Sequence, residues 1–130
     1  MLFDRPEAGR RTLLLQIELR QKANPDAQEL AELALSAQLV VAAVITVKRD
    51  APHSRWFVGS GKVEELAQLL SMYSADIVLV NHDLSPAQQR NLEQALDCRL
   101  ITRTELILTI FADRARSHEG QLQVELAQLK

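Results

Sequence analysis

The sequence predicts an α/β domain with a mostly parallel sheet of four to five strands flanked by helices, followed by a C-terminal helical arm. Two observations predict this fold class. Short runs of aliphatic and β-branched residues alternate with stretches in which apolar residues recur at helical spacing, and cap residues precede several of those stretches. Strands and helices that alternate in this way form parallel sheets with right-handed crossovers. We assign residues 1–102 to the α/β domain and residues 103–130 to the arm.

The first strand and helix come from the N-terminal part of the chain. Residues 12–19 predict a strand, whose partial alternation indicates one fully and one partly buried face. Asn24 as the cap and Pro25 in the first turn predict a helix that reaches about Gln38. The β-branched run at residues 39–47 is typical of a central strand that is covered on both faces.

Three shorter strands are expected further along, at residues 56–58, 76–81 and 98–101. A polar loop at residues 48–55 precedes the first of them. A Gly-Ser-Gly sequence then breaks that strand and leads into a helix at residues 62–74.

The clearest helix start is the sequence Asp-Leu-Ser-Pro. Ser85 is expected to cap this helix and Pro86 to take its first position. The helix is expected to end near Asp97. Thr102 or Thr104 then caps the arm.

The arm at residues 103–130 is expected to be helical up to the last residue, with Gly120 bending or dividing it. No Gly, Asn or Pro stop follows the final apolar position, so we expect the chain to be the N-terminal piece of a longer protein. The stripe formed by Leu122, Leu126 and Leu129 should then be exposed and associate, and we expect self-association through residues 104–130. The apolar positions at helical spacing are Leu106, Ile107, Ile110, Phe111, Leu122, Leu126 and Leu129.

Composition narrows the class of protein. With 130 residues, 47% hydrophobic and 25% charged, the chain is an ordinary globular domain with one core. A formal net charge of -2 excludes a basic protein that coats nucleic acid over its whole surface, so any RNA contact is local. The single cysteine fits a reducing cytoplasm. The longest apolar run, at residues 39–45, is too short to span a membrane, and the polar N-terminus lacks a secretory signal.

The segment at residues 48–62 is the first candidate site. It holds four cations and one carboxylate, which gives a net charge of +3, and His53 adds charge near neutral pH. Trp56 and Phe57 lie beside the cations. Such a segment suits the neutralisation of phosphates and stacking on exposed bases of structured RNA. The alternative is a solvated loop whose aromatic side chains pack in the sheet. The four cations are Lys48, Arg49, Arg55 and Lys62.

The turn formed by Gly59, Ser60, Gly61 and Lys62 is a candidate anion site. It joins a predicted strand to a predicted helix, so its free amides and the positive helix end could bind an RNA phosphate or a nucleotide phosphate. The alternative is that the glycines only provide the conformation of a tight reversal.

Arg114 and Arg116 in the arm are further RNA-binding candidates. At helical spacing Arg114 shares a face with His118 and Arg116 points elsewhere, so the arginines can serve two surfaces. Ion pairing to Asp113 and Glu119 is the alternative.

His82 and Asp83 follow a predicted buried strand at the carboxyl end of the sheet, where α/β proteins often carry out chemistry. No nucleophile is recognisable beside them and Asp83 can help to cap the next helix, so we favour a structural role. Cys98 is interpreted as a small core residue. The histidines and this cysteine show none of the short spacings of zinc ligands, and we predict no metal site and no catalytic residue.

A phosphate-binding loop of the P-loop type is missing from the sequence. That loop needs Gly-x-x-x-x-Gly-Lys followed by Ser or Thr. Around the only Gly-Lys pair, at residues 61–62, Trp56 stands where the first glycine belongs and Val63 where the hydroxyl belongs. We therefore predict no cofactor in this chain.

Four runs carry a family resemblance that extends over nearly the whole chain. They are FDRPEAG at residues 3–9, APHSRWFVGSGKVEEL at 51–66, DLSPAQQRNLE at 83–93 and FADRARSHEGQLQVELAQL at 111–129. Together they resemble the N-terminal region of the HflX family of ribosome-associated GTPases.

The resemblance implies a cytoplasmic protein that binds the large (50S) ribosomal subunit and hydrolyses GTP, with magnesium, in a G domain placed C-terminal to this chain. The implied partners are large-subunit rRNA and that GTPase domain. The chain itself would be a non-catalytic docking domain. The alternative is an independent purine-nucleotide (ATP) binding or hydrolysing domain, which would depend on the turn at residues 59–62.

Overall fold

The structure is a computed structural model that describes residues 6–20, 24, 26–50 and 58–128, with side chains up to residue 116. Its four strands are parallel and form one sheet in the order β2-β1-β3-β4. The predicted α/β fold with a mostly parallel sheet is confirmed. The elements are β1 (Arg11–Leu19), α1 (Ala27–Ser36), β2 (Val40–Arg49), α2 (Ser60–Met72), β3 (Ile77–Val80), α3 (Pro86–Leu96), β4 (Arg99–Thr102) and α4 (Arg103–Gln128).

Helices cover both faces of the sheet. The first face packs against α2 and α3, and the second packs against α1 and the first turns of α4. Complete burial of one leucine side chain stabilises the fold by about 1.5–3 kcal/mol relative to leaving it exposed to water. The side chains with no exposed surface include Leu13, Leu15, Ile17, Leu66 and Leu92 on the first face, and Leu14, Leu30, Ala34, Leu79 and Leu106 on the second.

The central strand is β1 and not β2. Residues 12–17 of β1 are buried on both faces because β1 lies between β2 and β3. The strand β2 is at an edge, where Val40 and Val44 are 41% and 47% exposed. The predicted roles of these two strands are therefore wrong. A β-branched run indicates that a segment forms a strand, but it does not indicate whether that strand lies at the centre or at the edge of the sheet.

Several predicted boundaries move by two residues. Lys48 and Arg49 were expected in a loop, but they are the last two residues of β2. The helix α2 begins at Ser60 and ends before Ser74, whose positive φ of 53° does not fit a helix. Most of the strand predicted at residues 56–58 lies outside the described residues, and its last residue is in a bend.

The start of α1 differs from the prediction. Asp26 is the cap, and its carboxylate accepts the Gln28 N–H at 3.1 Å. Asn24 is not the cap, because its side-chain amide pairs with the backbone of Leu19. Pro25 lies outside the described residues.

The start of α3 agrees with the prediction. Ser85 Oγ accepts the Gln88 N–H at 3.1 Å, and Gln88 Oε1 accepts the Ser85 N–H at 2.9 Å, which forms a complete capping box. Pro86 takes the first helical position as expected. Asp97, in the left-handed region with φ of 49°, ends the helix.

The helix α4 begins with Thr102 as its cap. The Thr102 Oγ1 accepts the Glu105 N–H at 3.3 Å, which decides between the two predicted caps. The helix continues through Gly120 as one element, so Gly120 does not divide the arm, and the alternative that it bends the helix stays a prediction. Buried Leu106 joins its first turns to the core, and the division of the chain at residues 102 and 103 stays a prediction. None of the described helices has the length and apolar character needed to cross a bilayer.

Replacing Leu14 by Ala is expected to lower the free energy of unfolding by about 2–5 kcal/mol, because it leaves a cavity between the sheet, α1 and α4. Leu35→Ala is the matched control on α1: this residue is 64% exposed, and the change should stay below about 0.5 kcal/mol. Urea unfolding followed by circular dichroism measures both. Equal losses in the two variants would contradict the described core.

Candidate functional site

The strand order reverses between β1 and β3, and open parallel sheets generally have a crevice at the carboxyl ends of the strands at such a reversal. The chain moves from β1 to β2 with α1 on one face, then crosses back to β3 and β4 with α2 and α3 on the other face. Ligands of open parallel sheets bind at reversals of this kind. We call the ends of the strands and the helix starts around this crevice the carboxyl edge.

Arg49 lies against the start of α2 at the carboxyl edge. A Cβ atom built on Gly59, the cap residue of α2, would come within 2.9 Å of Arg49 Nη1. Gly59 has an ordinary φ of -68°, so the glycine provides space for the guanidinium and not an unusual conformation. The structure thus brings together two candidate sites, the basic segment and the glycine turn.

The first turn of α2 is suited to binding an anion. It contains no acidic residue, and its cap residue has no side chain. The Gly59 carbonyl accepts the Lys62 and Val63 N–H groups at 3.0 and 3.1 Å, so these amides serve the helix. The first amides of a helix have no intrahelical partner, and those of Ser60 and Gly61 therefore point out of the helix start. Together with Arg49 they can hold a group such as a phosphate.

The other predicted cations of this segment differ in their surroundings. Lys48 is exposed near the end of the edge strand. Lys62 Nζ pairs with Glu65 Oε2 at 2.7 Å, one turn further along α2, which offsets part of its charge. Arg55, with His53, Trp56 and Phe57, lies outside the described residues.

Arg20 is a further cation of the carboxyl edge that the sequence did not single out. Its backbone N–H donates to Arg49 O at 2.9 Å, which joins the end of β1 to the end of β2. Its guanidinium lies 3.7 Å from Asp50, and both side chains are largely exposed. An ion pair this exposed contributes little, and Arg20 keeps its charge available to solvent.

Arg114 and Arg116 are separate from the carboxyl edge. The helix α4 starts at the end of β4 and Arg114 follows roughly 16 Å along its axis, at 1.5 Å per residue. Arg116 forms an ion pair with Asp113, as the alternative to RNA binding expected. The side chain of His118 lies outside the described residues.

Asn81 continues the sheet with its side chain, directly after β3. Its Oδ1 accepts the Ile17 N–H at 2.8 Å and its Nδ2 donates to Ile17 O at 2.9 Å. Asn81 is only 2% exposed, so both bonds form away from water. Sequence reasoning missed this residue, although an amide placed directly after four buried strand residues was the available signal.

His82 makes a second polar contact beside β1. Asn24 Oδ1 accepts the Leu19 N–H at 3.0 Å and Asn24 Nδ2 donates to Leu19 O at 3.2 Å. These bonds fix the orientation of the Asn24 amide. His82 Nε2 lies 2.8 Å from the same Oδ1, so this nitrogen must carry the proton and neutral His82 is the Nε2–H tautomer.

Asp83 contacts α4. Its Oδ2 accepts the Thr104 O–H at 3.0 Å. The predicted contribution of Asp83 to the α3 cap is wrong, because Ser85 and Gln88 complete that cap between them. We favoured a structural role for His82 and Asp83. Asp83 has such a role, but it links the carboxyl edge to the arm and does not cap α3.

Cys98 precedes β4 and packs against the first core cluster. Burial raises the pKa of its thiol to about 12, with smaller contributions from the nearby carboxylates of Glu93, Asp76 and Asp97. The thiol therefore stays protonated at physiological pH and is a poor nucleophile.

The amino edge of the sheet, opposite the crevice, has balanced charge. Arg10 pairs there with Glu7 at 3.1 Å and with Asp76. Within the described ranges no three His, Cys, Asp or Glu side chains are grouped as metal ligands would be. The carboxyl edge is therefore the better candidate site. The amino edge encloses a cavity of about 250 Å³ lined by Pro6, Glu7, Arg10, Asp76, Ile77 and Arg99.

Comparison with known protein families agrees with this architecture. Residues 24–112 match the family described as GTP-binding GTPase N-terminal. The chain belongs to this family. Its matched region includes the carboxyl ends of β2 and β3, the start of α2 and the first turns of α4.

Relatives within this family are GTPases named HflX. GTPase HflX of Escherichia coli strain K12 is 52% identical over 130 residues, which cover 99% of this chain and 30% of that protein. GTPase HflX of Caldanaerobacter subterraneus is 44% identical over 120 residues, which cover 92% of this chain and 28% of that protein. The expected resemblance to the HflX family is confirmed. The chain spans about 30% of the length of these relatives.

A solved structure described as the SsGBP and GDP complex has the same fold. It matches with a TM-score of 0.65 at 20% identity, over 92% of this chain and 34% of that chain. An identity this low shows a shared fold and carries no statement about ligands of this chain.

Replacing Asn81 by Ala is expected to lower the free energy of unfolding by about 2–3 kcal/mol, because the buried Ile17 N–H and C=O groups lose their partners. Gln94→Ala, which removes an exposed amide from α3, is the matched control and should have an effect near zero. Thermal and urea unfolding measure both changes. An Asn81 variant as stable as its control would show that the side-chain pairing contributes nothing.

Proposed function

We propose that this chain is the N-terminal docking domain of an HflX-type GTPase and that its carboxyl edge contacts RNA of the large (50S) ribosomal subunit. The position of Arg49 beside Gly59, at the positive end of α2, is the observation that carries the proposal. A guanidinium and free helix amides are donors that proteins use to bind phosphate. Lys48 and Arg20 extend the positive charge along the same edge.

Contacts of this kind supply affinity and orientation. Phosphate contacts carry no sequence information, and they release counterions, so binding weakens as salt rises. A net charge of -2 for the whole chain means that the remaining surface is, in sum, more negative than the carboxyl edge, which favours one orientation on RNA. The rigid sheet then fixes how the rest of the protein approaches the ribosome in the cytoplasm.

GTP hydrolysis belongs, in this proposal, to a G domain that follows this chain in the full protein and holds GTP with magnesium. The relatives are named GTPases, and the chain corresponds to about 30% of their length. The phosphate-binding sequence of such a domain does not occur here, since Trp56 and Val63 stand at two of its required positions. The chain itself acts in docking and takes no part in catalysis.

The arm connects docking to the GTPase domain. In the part of α4 whose side chains the structure describes, two exposed apolar side chains lie on its outer side, Leu108 at 49% and Phe111 at 72% exposed. They lie opposite the buried Leu106, so the core of this domain does not cover them. In the full protein this surface packs against a later part of the chain, and in the 130-residue chain it supports self-association through residues 104–130.

Gly59→Ala is expected to weaken binding of the 130-residue chain to purified 50S subunits, because the new Cβ atom displaces the Arg49 guanidinium without changing any charge. Gly61→Ala is the matched control: a Cβ atom there meets nothing within 4 Å. Sedimentation of the chain with 50S subunits at several salt concentrations measures the affinities. Equal binding by the two variants would remove the Arg49–Gly59 contact from the proposal.

Charge reversal gives a larger expected effect on the same binding. Changing Lys48, Arg49 and Arg55 together to Glu should reduce the affinity and lower the slope of log affinity against log salt by roughly one unit for each lost phosphate contact. Arg90→Glu, on the exposed side of α3, is the control, because it reverses a single charge away from the carboxyl edge.

Calorimetric titration with ATP and GTP tests the alternative, an independent nucleotide-binding domain. Saturable micromolar binding of either would favour a nucleotide site at residues 59–62.

Phe111→Glu is expected to prevent self-association, because a charge replaces the most exposed large apolar side chain among residues 103–116 of α4. Leu35→Glu introduces the same charge at a residue on α1 that is 64% exposed, and it should leave association unchanged. Sedimentation velocity over a range of concentrations measures the oligomeric state. A parent chain that stays monomeric at high concentration would refute self-association through residues 104–130.

A further inference from the structure

We propose that Asn81, His82 and Asp83 form a coupling segment that ties the carboxyl edge of the sheet to the direction of α4. These three successive residues each bond a different element. Asn81 bonds Ile17 in β1, His82 lies within hydrogen-bond distance of Asn24 in the connection to α1, and Asp83 accepts the hydroxyl of Thr104 in α4.

The start of α4 is held by side chains from three separate parts of the fold. Because successive residues of a helix point in different directions, three such ties fix both the tilt and the rotation of its first turn. The ties are Arg103 to Glu29 on α1, Thr104 to Asp83 in the coupling segment, and Glu105 to Gln89 on α3 at 2.8 Å.

Only one of these ties ends at the crevice. Glu29 and Gln89 belong to helices that already pack on the sheet, so their positions follow the core. Asp83 instead belongs to the loop that continues β3 at the carboxyl edge. A displacement of the carboxyl edge therefore also displaces Asp83. The positions of Glu29 and Gln89 are instead set by the packing of their helices on the sheet.

The coupling segment has a fixed end and a movable end. Asn81 is 2% exposed and makes two bonds to β1, so moving it would break buried hydrogen bonds. Asp83 and Thr104 are exposed, and their single bond can break and re-form while the core stays folded. A displacement of His82 thus turns the segment about Asn81 and moves Asp83 relative to α4.

The physical consequence is a coupling between the carboxyl edge and the arm. The proposed phosphate site and the coupling segment lie at the same edge of the sheet, so a phosphate that shifts this edge on binding also shifts the start of α4; this step rests on the proposed function. Because coupling between two sites is reciprocal, a partner that redirects α4 changes the affinity of the edge by the same factor.

Spin labels on the 130-residue chain test the tie itself without any RNA. Met72→Cys at the end of α2 and Ala115→Cys on α4 place labels at two exposed positions, and the raised pKa of the Cys98 thiol disfavours its labelling. Electron paramagnetic resonance then gives the distance distribution between the labels. The parent and Thr104→Ser, which keeps the hydroxyl, should show one narrow distance, and Thr104→Val should show a broader or second one.

A double-mutant cycle tests transmission along the segment. Asn24→Ala removes the contact with His82, together with the two bonds to Leu19, without touching α4, and it should broaden the same distance distribution when Thr104 is present. In the Thr104→Val background it should add nothing, because the tie is already broken. Asp113→Ala, which breaks the Arg116 ion pair within α4, is the control and should leave the distance unchanged.

Three outcomes overturn the proposal. A Thr104→Val distribution as narrow as the parent's means that the tie does not set the direction of α4. A Thr104→Ser distribution as broad as that of Thr104→Val means that the hydroxyl is not responsible. Effects of Asn24→Ala and Thr104→Val that simply add mean that the segment transmits nothing. Failure of the chain to bind 50S subunits would refute the proposed function and leave these three readouts unaffected.

Discussion

The two hydrogen bonds between the Asn81 side chain and the Ile17 backbone are the interaction on which the carboxyl edge depends. The strand β1 has nine residues and its neighbour β3 has four, so β1 extends beyond its partner in the middle of the sheet. Unpaired backbone groups in that buried position would cost about 1–3 kcal/mol each. The Asn81 amide supplies both a donor and an acceptor just beyond the end of the β1–β3 ladder, and the Asn24 amide does the same for Leu19.

The same sheet geometry explains why a basic site forms beside that interaction. Because β2 is an edge strand, Lys48 and Arg49 at its end reach solvent although they belong to regular secondary structure. The crossover to the other face returns the chain to this edge at Gly59, whose missing side chain leaves room for the Arg49 guanidinium. A candidate anion site is thereby assembled from a strand end and a helix start in a chain that is negative overall.

The sequence predicted those features that depend on local chemistry. Ser85 and Pro86 marked the start of α3 because capping is decided within a few residues, and the alternation of periodicities gave the α/β class. The central position of β1 was not predictable, because the neighbours of a strand depend on the tertiary packing of the whole domain. Asn81 pairs with Ile17, which is 64 residues away in the sequence, and Asn24 contacts His82, which is 58 residues away. The Arg49–Gly59 contact likewise appears only once β2 and α2 are packed.

Because α4 is long, a small change in the direction of its first turn moves its far end over a much larger distance. Its 26 residues form a rod about 39 Å long at 1.5 Å per residue. A rotation of only about 5° where the rod meets the sheet would carry its tip through about 3 Å, a distance comparable to a hydrogen bond. The arm is therefore a lever that amplifies sub-ångström adjustments near β3 into movements large enough to make or break a distant interface.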